Sequence, residues 1–155
     1  MKLSRLLTAL AAIAISILFT TPAAAQAETG CSRNDSQAAA QKYLDALIDR
    51  NAAWSIPLHP FVLRTENGVP TSATAADLRL QLYLHVQYSV FESIENVVWT
   101  WQPDGRQDVI KAVYDIPVEV ANQPMGTSSV DEDFTLTADC KIKRIDATFT
   151  IPPPA

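Results

Sequence analysis

Apolar and polar residues alternate with a period of two along the segment from Asp133 to Thr150, where Phe134, Leu136 and Ala138, then Ile145, Ala147 and Phe149, fall on one parity. That pattern predicts two strands. The polar turn Asp139-Cys140-Lys141 between them predicts a hairpin with one face on the core. Two more long strands are expected upstream. One runs from Phe91 to Trp101, with Phe91, Val97, Trp99 and Trp101 on one side; the other runs from Val109 to Val118, with Ile110, Ala112, Tyr114 and Ile116 sharing a face. Pro103-Asp104-Gly105 turns the chain between them, and Asn122 to Ser129 reads as a polar loop.

The first half of the chain changes period. From Ala38 to about Asn51, Ala40, Tyr43, Leu44, Leu47 and Ile48 form one helical stripe, with Asn34-Asp35-Ser36 as its cap. Asn34-Asp-Ser is also a glycosylation sequon in a eukaryotic source, and capping is the favoured role. Ala52 to Pro60 is a connector with room for one helical turn. Phe61 to Glu66 reads as a strand, Asn67-Gly68 as a two-residue hairpin turn, and Val69 to Thr71 as the return. Thr74 to Asp77 resembles a capping box. Beyond it the local signals conflict, because Leu78, Leu80, Leu82, Leu84, Val86, Tyr88 and Val90 alternate as in a strand. The cap and the leucine content assign a helix to Ala75–Leu84, and a strand is expected from about Tyr88.

The N-terminus reads as a cleavable leader. Lys2 and Arg5 precede an uncharged run from Leu6 to Phe19, followed by the small-residue sites Ala23-Ala24-Ala25 and Ala25-Gln26-Ala27. The run falls short of the roughly 18 apolar residues of a membrane span. Glu28 stands where a bacterial lipobox needs an aliphatic residue, so a lipid anchor on Cys31 is not expected. Residues 1–27 are assigned as a signal peptide and 28–155 as one domain, secreted or periplasmic. Cleavage removes two of the 12 basic residues and none of the 17 acids, leaving a net charge of about −7. Such a charge argues against nucleic acid and anionic membranes as partners. Two cysteines in an exported chain predict one disulfide, Cys31–Cys140, over the alternative of two free thiols. Their spacing excludes a CxxC redox or zinc site, and no metal or cofactor is expected.

Helix, connector, small hairpin, helix and four antiparallel strands is an order that resembles the nuclear transport factor 2-like (NTF2-like) superfamily. Tyr43-Leu-Asp-Ala-Leu-Ile-Asp-Arg-Asn51 looks like its first helix, and Arg64-Thr-Glu-Asn-Gly68 is similar to the hairpin turn of many SnoaL-like members. Asp133 to Thr150 looks like the closing pair of strands, although members often have glycine where this chain has Cys140. The resemblance implies an α+β cone, a curved sheet wrapped around the N-terminal helices with an apolar pocket inside. The superfamily includes ketosteroid isomerases, polyketide cyclases, dehydratases and epoxide hydrolases, alongside members without activity, so fold leaves function open.

The candidate chemistry follows from that likeness. Tyr43 lies where the steroid isomerases carry an oxyanion-stabilising tyrosine. Glu66 lies near their general base, and Asp133 near their second acid, although alternation from Phe134 turns Asp133 outward. His59 on the connector is a candidate proton shuttle, whereas His85 shows no partner and Asp115 points away from Tyr114. The catalytic candidates are therefore Tyr43, His59 and Glu66, each weighed against an ordinary structural role. Tyr43, Trp54, Trp99, Tyr114, Phe134 and Phe149, with Trp101, are expected to line the cone around a flat apolar ligand, the alternative being that the aromatic residues fill it entirely. The leading expectation is binding of a small apolar molecule in the cone, or a scaffold for a partner, without established catalysis; the rival is an acid/base isomerase, cyclase or dehydratase acting next to a carbonyl. A homodimer through the outer sheet face at Thr100, Val109, Lys111 and Val113 is a third.

Overall fold

The structure, a computed structural model, describes residues 30–101 and 109–150. The expected leader and the Pro103-Asp104-Gly105 turn lie outside these residues. Helix α1 (Arg33–Ile48) begins earlier than the sequence suggests: Ser32, not the Asn34 to Ser36 stretch, is its N-cap, accepting a hydrogen bond from the Asp35 amide at 3.2 Å. Ser36 is needed inside instead, where its hydroxyl donates to Cys31 Sγ at 3.2 Å. The i, i+3, i+4 stripe Ala40, Tyr43, Leu44 and Leu47 is buried. Asp49 ends α1 and caps a 3-10 turn, Arg50–Ser55, by accepting from the Asn51 amide at 2.9 Å. Strands β1 (Leu58–Glu66) and β2 (Val69–Ser72) then form the expected hairpin. Asn67 and Gly68 both have positive φ, 48° and 80°, as a two-residue turn of that hand requires. Asn67 also binds the final strand, donating its amide to Ala147 O and accepting from the Phe149 amide through its side chain.

Helix α2 spans Ala75–Leu84 with Thr74 as N-cap, as expected, and stops at His85, whose left-handed φ of 57° turns the chain away. The strand expected from Tyr88 does not form. Residues 86–90 make turns, Tyr88 is buried, and Phe91 contributes an isolated bridge to Val118 before β3 (Glu95–Trp101) starts. Strand β4 (Val109–Val120) and strand β5 (Gln123–Leu136) form the longest hairpin, closed by Ala121 and Asn122 at φ 53° and 60°. The polar loop expected over Asn122 to Ser129 is therefore mostly strand. Its residues pair with the far end of β4, and its buried inward position, opposite Ile116, is the polar Ser128, so the sequence shows no apolar alternation there. A register shift at Val118/Glu119, opposite Gly126 and Pro124, bends this hairpin. Strand β6 (Ile142–Phe149) completes a six-stranded sheet of order β2-β1-β6-β5-β4-β3, antiparallel except where β1 and β6 run parallel. Ala138 belongs to the turn before β6 and is exposed.

The concave face of the sheet packs on α1, with Ile110, Ala112, Phe134, Leu136, Ile142 and Ile145 against Tyr43, Leu44 and Leu47. Phe134 meets the Tyr43 ring edge-on, with centroids 5.5 Å apart. The Cys31–Cys140 disulfide ties the start of α1 to the β5–β6 turn across a separation of 109 residues. Cys140 has φ 57°, the left-handed conformation a glycine adopts freely, so the cysteine keeps the turn geometry of glycine while anchoring it. On the convex face Val98 is 56% and Val113 is 37% exposed, while Val109, expected beside them, is covered.

Candidate functional site

Inward parity on three strands gathers charged and phenolic groups at one end of a cavity. On β1, Val62, Arg64 and Glu66 share the inner side, because Arg64 and Glu66 stand level with the inward Ile145 and Ala147 of β6. On β5, the parity that buries Phe134 and Leu136 also buries Glu132, which is 1% exposed. Tyr114 comes from β4, Tyr43 from α1 and Tyr88 from the turn after α2.

Arg64 is the hub of this cluster. Its Nε donates to the Tyr43 hydroxyl at 2.6 Å, Nη1 donates to the Tyr88 hydroxyl at 2.9 Å, and Nη2 pairs with Glu66 Oε1 at 2.6 Å. The guanidinium carbon also lies 5.8 Å and 5.7 Å from the Tyr43 and Tyr88 ring centres, within cation–π range. Glu132 accepts from the Tyr114 hydroxyl at 2.7 Å and is also hydrogen-bonded by Tyr43. Burial pushes the Glu132 carboxyl up to about 7; Arg64 and the two phenols act against this rise, and Glu66 adds to it. Burial likewise raises the phenols of Tyr43, Tyr88 and Tyr114, so all three are neutral donors or acceptors at physiological pH.

The cavity above this floor has a volume of about 370 Å³. Leu47, Val90, Phe91, Ile116, Val130 and Phe149 form its apolar wall; Arg64, Glu66, Tyr88, Tyr114 and Glu132 form its polar end. Exposed Gln87 marks its rim. Among the described residues, no group of three or more His, Cys, Asp or Glu side chains could hold a metal ion.

The residues singled out from sequence divide as follows. Tyr114, Phe149 and Glu66 line the cavity. Tyr43 lies behind the polar end and reaches it through Arg64 and Glu132. Trp99 and Phe134 pack on one another in the core, at 6.4 Å, rather than lining the cavity. Trp54 is 61% exposed and meets the Tyr83 ring at a tilt near the surface, because the 3-10 turn that carries it faces outward. Trp101 sits under the Arg33 guanidinium. His59 opens β1 away from the cavity, its Nδ1 accepting from the Phe61 amide at 3.3 Å. His85 does have a partner: its Nε2 donates to the Leu47 carbonyl at 2.9 Å, joining α2 to α1. Asp133 is on the outer parity, 3.9 Å from Lys111 Nζ, and Asp115, also outward, accepts from the Asn96 side chain. Arg64, Tyr88 and Glu132 were not anticipated, although Glu132 could have been read from the alternation that turned Asp133 outward.

A curved mixed sheet wrapped on two helices, with a cavity between them, defines an NTF2-like fold. The chain belongs to the family described as a domain of unknown function, DUF8021, whose profile matches residues 30–149. No curated protein matches it. Among solved structures it is similar to an NTF2-like protein of unknown function from Cytophaga hutchinsonii, with 13% identity and a TM-score of 0.57, covering 76% of this chain and 98% of that one. It is also similar to a steroid delta-isomerase from Pseudomonas aeruginosa, with 18% identity and a TM-score of 0.52, covering 76% and 80%. A phenazine biosynthesis-related protein from Pseudomonas aeruginosa shares 16% identity at a TM-score of 0.54, covering 76% of each chain. These likenesses establish the fold.

Proposed function

We propose that this chain is an exported binding protein whose cone takes up one small, mainly apolar molecule. The observation that carries the proposal is the cavity itself, apolar along its walls and polar at one end, as ligand pockets are. Its volume of about 370 Å³ suits a ligand of one or two rings. The Cys31–Cys140 disulfide supports export, since such bonds persist in oxidising compartments. Titration with the neutral naphthalene dye prodan tests the proposal. Saturable one-site binding is expected, and it should be abolished by Ile116→Trp, which fills the cavity, with the far-ultraviolet circular dichroism unchanged. Equal binding by a folded Ile116→Trp protein would remove the cavity as the site.

Glu132 favours a second reading, acid/base chemistry at a carbon next to a carbonyl. A carboxyl held at about 7 between two phenols has the affinity a general base needs near neutral pH. In that reading Glu132 takes the role first sought at Glu66 and His59, and the isomerase among the similar folds lends it support. Exchange of the α-hydrogens of β-tetralone in heavy water, followed by NMR, tests it. Exchange that the protein accelerates and Glu132→Gln abolishes is expected. No acceleration over buffer would leave binding alone.

A further inference from the structure

The polar end of the cavity has an unequal inventory of donors and acceptors. Arg64 is the one cation lining it, and four of its five N–H groups are turned to Tyr43, Tyr88, Thr71 and Glu66. The Tyr114 hydroxyl proton is committed to Glu132, and the Tyr88 oxygen accepts from Arg64 and the Gln87 side chain. Farther along the wall, the Ser128 hydroxyl donates to the Thr150 carbonyl at 2.7 Å. Two carboxyl groups remain with spare lone pairs. Glu132 receives hydrogen bonds from two phenols, fewer than the roughly four a carboxylate can accept. Glu66 meets Arg64 through Oε1. With both carboxyls ionised, the polar end carries two negative charges against one positive, beneath the rings of Tyr88, Phe91, Tyr114 and Phe149. A ligand carboxylate or sulfonate would meet a net negative charge there. A protonated amine would find acceptors, an opposite charge and aromatic faces.

We infer that the cavity selects an amphiphilic amine, a protonated nitrogen on a small apolar body, with the nitrogen held by Glu132 and Glu66 and the body along the Ile116 and Val130 wall. This rests on the reading that the cavity binds a small apolar molecule, and it specifies that ligand's polar end.

Selection depends on the protonation of Glu132. The groups facing Glu132 are Tyr43 from α1, Arg64 and Glu66 from β1, Tyr88 from the turn after α2 and Tyr114 from β4, while β6 presents only Ile145 and Ala147 on that side. Protonated Glu132 leaves Arg64 and Glu66 balanced, so the pull on a cation is lost in mild acid. Three probes with one body, phenylbutylamine, phenylbutanol and phenylbutyrate, measured by calorimetry at about pH 5.5 and about pH 8.5, separate the possibilities. At the higher pH the amine should bind at least about tenfold more tightly than the alcohol, and the carboxylate more weakly than both. The amine-to-alcohol ratio should fall toward one at the lower pH. Glu132→Gln should bring the ratio near one at both values. Should that variant not fold, the pH series on the unaltered protein and Glu66→Gln carry the same test. Carboxylate binding equal to or tighter than amine binding, or a ratio that ignores pH, would overturn the inference while leaving the cavity reading intact. Binding of none of the three would remove both.

Discussion

The pH dependence of stability is the sharpest test of the buried cluster, because it needs no ligand. Glu132 titrates in the folded protein at about 7, against 4.5 for an ordinary glutamate. A rise of that size corresponds to about 3 kcal/mol, at about 1.4 kcal/mol per pH unit. The direction follows from proton counting. Below about pH 4.5 the carboxyl is protonated in both states and contributes no pH dependence. Between about 4.5 and 7 the unfolded chain releases its proton and the folded chain keeps it, so stability falls as pH rises. Above about 7 the loss is complete. Glu132→Gln keeps the shape of the side chain and removes the titration. Urea unfolding followed by tryptophan fluorescence, with the disulfide intact, gives the free energy of each protein at about pH 4 and about pH 8. Relative to Glu132→Gln, the wild type should lose about 3 kcal/mol between those values. Asp139 and Asp146 have depressed pKa values and act in the opposite sense, losing stability in acid, but both proteins carry them and the subtraction removes them. A difference constant to within about 0.5 kcal/mol would mean that Glu132 stays ionised and that Arg64 outweighs its burial.

Three other perturbations probe separate parts of the fold. Arg64→Leu strands the Glu66 and Glu132 carboxyls without their cation and should cost about 3–5 kcal/mol in urea unfolding. Arg64→Lys should recover only part of this, since one ammonium cannot reach Tyr43, Tyr88 and Glu66 together. Reduction of Cys31–Cys140 reopens a loop of 109 residues and should lower stability by about 4–5 kcal/mol on chain-entropy grounds; an unfolding midpoint indifferent to reductant would contradict this. Asn67→Ala should cost about 1–2 kcal/mol, combining a positive φ with the lost bond to the Phe149 amide, and Asn67→Gly should fall between it and the wild type by thermal melting.

Legibility in the sequence followed the reach of each signal. Local chemistry found α2 and both ends of the first hairpin, because Thr74 and Asn67-Gly68 act over a few residues. It also paired Cys31 with Cys140, since the count left little else. It failed at Tyr88, where alternation continued on paper but a buried hydroxyl bound to Arg64, 24 residues away, holds the chain in turns. It failed over Gln123 to Ser129 because the buried inward position of that part of β5 is Ser128, a polar residue on the cavity wall, so no apolar alternation marks the strand. The site was half visible. Tyr43, Glu66 and Tyr114 were read from resemblance and parity, whereas a charged arginine on an inward strand position is recognisable only once its partners from three elements are known. Glu132 was one residue from Asp133, on the side that the neighbouring Phe134 already marked as inside.

The position of β6 has a consequence for biogenesis. Strand β6 slots between β1, about 80 residues before it in the chain, and β5, so the two halves of the sheet share no ladder until β6 is in place. Until then β1 presents a naked edge to any passing strand. A premature stop before Ile142 would therefore deprive the cone of its central seam, leaving the β1–β2 hairpin and the β3–β4–β5 strands with no ladder between them.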